Sequence, residues 1–319
     1  MIEARALRRT FRTRSGAVEA VAGVDLDVAP GEIVGFLGPN GAGKTTTLRI
    51  LTTLLEPTSG TATVAGCDLR ADPTGVRRRI GYVAQGGVTD PQARAGEELV
   101  DQARLYGIDR RTAAARGAEL FGQLDLDGLW QRTCGSLSGG QRRRLDIVMG
   151  LVHTPALVFL DEPTTGLDPQ SRANLWGHVR RLRDELATTV FLTTHYLDEA
   201  DALCDRLLVI DHGHIVATGT PEQLKRQVSG DLVVLTLADP AQQGQARTVL
   251  AALPGADEPA GDGAVVQVHV TDGGATLPQL LRELDARAIT LDGVEVRRPS
   301  LDDVFLAMTG RSLRDEPAA

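Results

Sequence analysis

The sequence predicts an α/β protein: a mostly parallel sheet with an inserted helical subdomain, followed by a small C-terminal α+β domain. Three observations carry this. An apolar strand pattern, Ile33-Val34-Gly35-Phe36-Leu37, runs straight into a glycine-rich loop from Gly38 to Thr45. Further apolar strands then alternate with helical stretches, which implies parallel strands covered on both faces. Near residue 220 the character changes to a short β-α-β-α-β series.

The elements follow in order. Met1-Ile2-Glu3-Ala4-Arg5 begins a strand-like pattern rather than a signal peptide. Residues 20–28 alternate as a half-buried strand does, and Pro30-Gly31-Glu32 makes a turn. A helix starts within the glycine loop and is expected to run to about Leu55, where Pro57-Thr58-Ser59-Gly60 breaks it. Residues 61–65 and 80–84 read as short strands. From about Val88 to Pro155 the pattern is mostly helical, with helices over 97–106 and 111–124 and a third starting at Ser138. Strands return at 156–160, 188–193 and 206–210, separated by helices over 169–186 and 197–203. Residues 221–230 read as a helix and linker. Beyond them come strands over 232–237, 265–270 and 294–297, helices over 241–253 and 277–286, and an exposed loop from Gly255 to Gly263. Ser300-Leu301-Asp302-Asp303 is an acidic capping box that opens a final helix. The expected division is residues 1–225, carrying the helical subdomain at about 88–155, and a small accessory domain over 226–319. No internal repeat is present, so one module is expected.

Composition narrows the function. The 319 residues suffice for two compact domains, and 42% apolar with 24% charged residues is the balance of a folded soluble protein. A net charge of −8 argues against a general nucleic-acid surface, and 3% aromatics against stacking platforms for single strands. Three widely spaced cysteines, Cys67, Cys134 and Cys204, point to a reducing compartment without a disulfide framework, and no Cys/His cluster suggests zinc. No apolar run reaches the roughly 18 residues of a spanning helix, so any link to a membrane is expected through a partner. Positive charge is almost all arginine; Lys44 and Lys225 are the only lysines, and Lys44 sits inside the glycine loop.

That loop, Gly38-Pro39-Asn40-Gly41-Ala42-Gly43-Lys44-Thr45, matches the phosphate-binding pattern G-x-x-x-x-G-K-[ST] in full. Its glycines let backbone N–H groups turn around phosphate oxygens, and the helix N-terminus behind adds positive potential. Lys44 is the cation for the β- and γ-phosphates, the Thr45 hydroxyl a Mg²⁺ ligand, and Thr46 a further nucleotide contact. Leu157-Val158-Phe159-Leu160-Asp161-Glu162 is an apolar strand that ends in two carboxylates. Beside a phosphate loop, Asp161 lies near the metal, and Glu162 is placed to accept a proton from an attacking water. Ser138 reads as a helix N-cap, and Gly139 and Gly140 keep the first turn open to an anion. Arg142-Arg143-Arg144 reads as a solvated face.

Leu137-Ser138-Gly139-Gly140-Gln141, lying between those two motifs, resembles the signature of ATP-binding-cassette ATPases, the motors of membrane transporters. The resemblance covers roughly residues 2–225 with each motif in order. It implies that ATP and Mg²⁺ are bound, and that Leu137 to Gln141 close over the ATP of a partner subunit in a head-to-tail homodimer. It assigns Gln85 to Mg²⁺ and water at the junction with the helical subdomain. It places Gly166-Leu167-Asp168 in the loop that couples the two sites, His195 as the switch residue at the γ-phosphate, and Phe11 as the aromatic on adenine. It also implies a separately encoded integral membrane permease, no nucleic-acid partner, and a peripheral place on the cytoplasmic face of the cell membrane. The tail Pro299-Ser300-Leu301-Asp302-Asp303-Val304-Phe305 looks like that of drug-exporter ATPases of the daunorubicin-resistance type. An importer motor with a regulatory tail is the alternative. A soluble cassette ATPase acting on ribosomes or DNA fits less well, because such chains usually carry two cassettes, coiled coils or zinc modules.

Overall fold

The computed structural model describes residues 1–310 apart from Ser15, Val88 and Ser229. Val88, the expected start of the helical subdomain, and residues 311–319 at the end of the accessory domain therefore lie outside the described residues. The chain divides into two compact units, Met1–Pro221 and Glu222–Ala319.

In the first unit the chain runs β1 (Ile2–Thr13), β2 (Gly16–Val28), β3 (Ile33–Leu37), α1 (Lys44–Leu51), β4 (Ser59–Val64), β5 (Cys67–Asp68), α2 (Pro73–Arg79) and β6 (Ile80–Val83). It continues through α3 (Ala95–Leu105), α4 (Arg110–Gln123), α5 (Gly139–Leu151), β7 (Leu157–Asp161), α6 (Pro169–Leu186), β8 (Thr189–Thr194), α7 (Leu197–Leu203), β9 (Arg206–Asp211) and β10 (His214–Gly219). Among the described residues these strands form two sheets. One is six-stranded, in the order β10-β9-β3-β8-β7-β6, with every ladder parallel except that of the edge strand β10. Every residue of β3, β7 and β8 is buried, as expected for parallel strands covered on both faces.

The second sheet, β2-β1-β4-β5, is antiparallel and was not foreseen as a separate layer. The pairing of β1 with β2 is interrupted by three register shifts, and Ala6 is left-handed with φ 47°. Those bulges scramble the alternation of β1, so its pattern reads only weakly as a strand. The expected helix to Leu55 is shorter: α1 stops at Leu51, because Thr53 turns left-handed (φ 63°) and directs Leu54 to solvent. The strand β10 was also missed. It returns from the His212-Gly213 turn as a half-exposed edge, where an apolar pattern is weak.

The sheet order brings the C-terminal ends of β3, β8, β7 and β6 side by side, with Leu37 beside Thr194 and Asp161 beside Thr193. Ligands bind at such an edge in open parallel sheets. The residues that follow these four strands are Gly38, His195, Glu162 and Ala84-Gln85.

The second unit holds α8 (Pro221–Val228, from Glu222 onward), β11 (Asp231–Leu237), α9 (Gln243–Ala251), β12 (Val265–Val270), α10 (Gly273–Ala286), β13 (Leu291–Arg297) and α11 (Leu301–Thr309). Its sheet, β12-β11-β13, is antiparallel. Val233, Leu235 and Leu237 alternate inward with Val266, Val268 and Val270, and meet Val249 and Leu250 of α9 and Leu280 and Leu284 of α10. The Ser300–Asp303 capping box is formed: Asp303 N donates to Ser300 Oγ, and Ser300 N to Asp303 Oδ2.

Candidate active site

The phosphate loop is built from close approaches that only glycine permits. A Cβ on Gly38 would lie 2.3 Å from the Ile210 carbonyl oxygen, and one on Gly43 2.3 Å from that of Ala20. Gly43 also has φ 106°, which L side chains rarely adopt. The β9–β10 turn braces the loop, since Gly213 N donates to Ala42 O at 2.9 Å. Pro39 and Ala42 are buried, whereas Asn40 and Gly41 face solvent. Lys44 is buried at 4% exposure, and its Nζ donates to Gly38 O at 2.7 Å and Pro39 O at 2.9 Å. The loop thus folds around its own lysine. Thr45 Oγ1 donates to Asp161 Oδ1 at 3.2 Å, and the half-buried Thr46 follows on α1.

Glu162 is the hub. Its Oε2 accepts from Gln85 Nε2 at 2.8 Å and from Thr165 Oγ1 at 3.1 Å. Its Oε1 lies 3.2 Å from His195 Nδ1 and 3.8 Å from Lys44 Nζ. Burial pushes this carboxyl up, but the adjoining His195, the Lys44 charge and the Thr165 hydroxyl outweigh it, and the group is held below the usual glutamate range. The Glu162 backbone is left-handed, with φ 44°. A non-glycine residue there is strained and persists only where its surroundings fix it. Glu162 N donates to Thr193 O at 3.2 Å and to Thr193 Oγ1 at 3.0 Å, while Thr193 Oγ1 donates to Asp161 Oδ1 at 2.7 Å.

The structure thus brings together Lys44, Thr45, Gln85, Asp161, Glu162 and His195. The hydroxyls of Thr193, at the end of β8, and Thr165, in the loop after β7, hold the two carboxylates and were not singled out in the sequence; a hydroxyl residue at a strand end beside the acidic pair was the available signal for the first. A divalent cation of the Mg²⁺ type fits the donor set. Thr45 Oγ1 and Asp161 Oδ1 are hard oxygens 3.2 Å apart, and Gln85, which donates through Nε2 to Glu162, keeps its amide oxygen for a cation.

Other foreseen residues stand apart from this hub. Leu137 is buried, and Ser138 caps α5 in a closed box: Gln141 N donates to Ser138 Oγ at 3.2 Å and Ser138 N to Gln141 Oε1 at 3.0 Å. A Cβ on Gly140 would meet Ser171 Oγ at 3.1 Å, so that glycine also serves packing of α5 on α6 within the chain, while Gly139 lies beside Leu167. Asp168 caps α6, accepting from Ser171 N at 2.9 Å and Ser171 Oγ at 2.6 Å, bonds that hold its carboxyl below the ordinary range. Phe11 is half-exposed on the β1–β2 ladder opposite Val18, with the Arg9 guanidinium 4.7 Å from its ring centre. One reading is corrected. Arg142-Arg143-Arg144 is not a uniform solvated face, because Arg143 is buried at 7% exposure and bonded to main-chain carbonyls.

A parallel sheet whose strand ends gather a phosphate loop, a buried acidic pair and a histidine defines a nucleoside-triphosphatase cassette. The family model described as ABC transporter matches residues 21–165, and that described as ATP-binding protein DrrA1-3-like, C-terminal domain, matches residues 219–309. The daunorubicin resistance ATP-binding protein DrrA2 of Streptomyces coeruleorubidus is 43% identical over 96% of this chain and 95% of its own. The Nod factor export ATP-binding protein I of Burkholderia orbicola is 38% identical over 96% of this chain and 97% of its own. Among solved structures, a dimeric bacterial ABC transporter cassette superposes with a TM-score of 0.63 at 25% identity, covering 69% of this chain and 98% of that one. The chain belongs to the ABC transporter ATP-binding proteins of the daunorubicin-resistance type. Its cassette is that of an ATP hydrolase.

Proposed function

We propose that the chain is the motor subunit of an exporter of drug-like compounds, acting on a separately encoded integral membrane permease at the cytoplasmic face of the cell membrane. The convergence of Lys44, Gln85, Thr165 and His195 on the buried Glu162, beside the phosphate loop, is the observation that carries the motor reading. No helix among the described residues is long and apolar enough to cross a membrane, which supports a separate membrane partner. The export reading rests on near full-length likeness to proteins named for drug resistance and for export.

In this reading the backbone N–H groups of the loop from Gly38 to Thr45, with Thr46, cradle the phosphates of ATP. Lys44 leaves the Gly38 and Pro39 carbonyls for the β- and γ-phosphates. That transfer frees Glu162 Oε1, while Oε2 stays fixed by Gln85 and Thr165, so Oε1 is the oxygen that takes the proton of the attacking water. His195, beside the same oxygen, orients that water. Mg²⁺, held by the Thr45 hydroxyl with Asp161 and Gln85 close by, would neutralise charge on the phosphate oxygens. Phe11 contacts adenine. Two copies close head to tail, with Leu137 to Gln141 and Asp168 of each completing the other's site. Tighter binding of ATP to the closed state than to the open one is what turns binding into motion.

Transport is the direct test. Inside-out vesicles holding this chain and its membrane subunit should accumulate daunorubicin with ATP-Mg²⁺, and Lys44→Ala should abolish the uptake. Uptake that is equal with and without the chain would remove the export reading.

A further inference from the structure

Arg143 lies on α5, little more than one turn after the Ser138 cap, and its guanidinium points away from solvent. Its Nε donates to Pro163 O at 2.9 Å and its Nη2 to Asp161 O at 2.9 Å. Its Nη1 donates to Ala84 O, the carbonyl just before Gln85. One side chain therefore holds the carbonyls on both sides of Glu162 and the strand end that carries Gln85. The residue it brackets is the one whose backbone is forced left-handed. Asp146, one turn further along α5 and also buried, lies 3.9 Å from the guanidinium as its countercharge. A buried cation is a poor device for stability alone, since apolar side chains of similar volume often serve as well. A planar fork of five donors suits a task in which several carbonyls must be fixed at once.

We propose that Arg143 is a positioning residue for hydrolysis: it clamps the left-handed turn at Glu162 and ties Gln85 to it, so that the signature helix α5 sets the geometry of its own chain's general base. This rests on the reading of Glu162 as that base. In the head-to-tail dimer, the helix that presents Ser138 to Gln141 to the partner's nucleotide would then be bonded directly to the main chain on either side of Glu162 in its own site. Closure of one site would adjust the other through a single side chain.

The test uses the full chain in single-turnover and steady-state ATP hydrolysis. Arg143→Lys keeps the charge opposite Asp146 but lacks the fork, and Arg143→Gln keeps part of the donor set without the charge. Both should lower kcat at least tenfold while KM for ATP stays within about threefold. In a Glu162→Gln background, Arg143→Lys should add no further loss, because its effect passes through Glu162; a merely structural loss would be additive. Wild-type kcat in folded Arg143→Lys, or an additive loss in the double variant, overturns the proposal. Should Glu162→Gln alone hydrolyse ATP at the wild-type rate, the base reading fails instead, and that outcome is read independently of Arg143.

Discussion

Gln85 Nε2 donates to Glu162 Oε2 at 2.8 Å, joining the residue that follows β6 and Ala84 to the residue that follows β7. The contact spans two strands that are neighbours in the sheet. It fixes one oxygen of the carboxylate and leaves the other facing His195 and Lys44.

The Glu162 carboxyl is held below its ordinary range, so it is ionised above about pH 4.3, the usual glutamate value. A depressed carboxyl loses its charge, and the site its base, only as pH falls through the depressed value. Hydrolysis should therefore show no acid limb from Glu162 between pH 5 and 8. Gln85→Glu would set a second carboxylate at the same contact, and the pair would hold a proton at higher pH, moving the acid limb upward. A kcat–pH profile measured on both proteins checks this. Superimposable acid limbs would mean that the contact does not govern the base.

Lys44 holds the loop's own main chain through its bonds to Gly38 O and Pro39 O, besides the role proposed for it at the nucleotide. Lys44→Ala should abolish ATP turnover and also lower the stability of the nucleotide-free protein, by about 1–3 kcal/mol for buried groups left without a partner. Denaturant unfolding without ATP measures the second effect. An unchanged midpoint would show that the lysine is not part of the resting loop.

Much of this was legible in the sequence, for physical reasons. Strands buried on both faces, such as Leu157–Asp161 and Thr189–Thr194, are continuous apolar runs, and the phosphate loop demands glycines at fixed spacing. Helix starts at Ser138 and Ser300 were readable because their side chains cap the next turn, whereas the cap that Asp168 forms on α6 was not read. The bulged β1 and the edge strand β10 were obscured because their burial does not alternate cleanly or is slight. Arg143 was misread because three consecutive arginines look alike in a sequence. Only the packing of α5 against the ends of β6 and β7 buries the middle one.

Glu199, on α7 after His195, offers a separate test. It is fully buried, with Trp176 Nε1 donating to its Oε1 at 3.3 Å. Burial raises its carboxyl, only partly countered by the hydroxyls of Thr194 and Thr164 and by Trp176. A raised carboxyl binds more protons folded than unfolded, so stability falls as pH rises from about 4.3 toward the raised value. Glu199→Gln keeps an acceptor for Trp176 and removes that slope. The variant should gain thermal stability relative to the wild type as pH rises from 4.5 to 8. A difference in melting temperature that does not depend on pH would show that burial of this charge is not felt.

The proposed motor requires that Glu162 be the base of a site completed by a second copy of the chain. Glu162→Gln with ATP-Mg²⁺, followed by size-exclusion chromatography with light scattering, tests it most directly. The expected result is a dimer that depends on ATP and dissolves when Lys44→Ala is added, because the phosphate contacts persist while hydrolysis falls to a residual rate. A Glu162→Gln protein that binds ATP yet stays monomeric would contradict it.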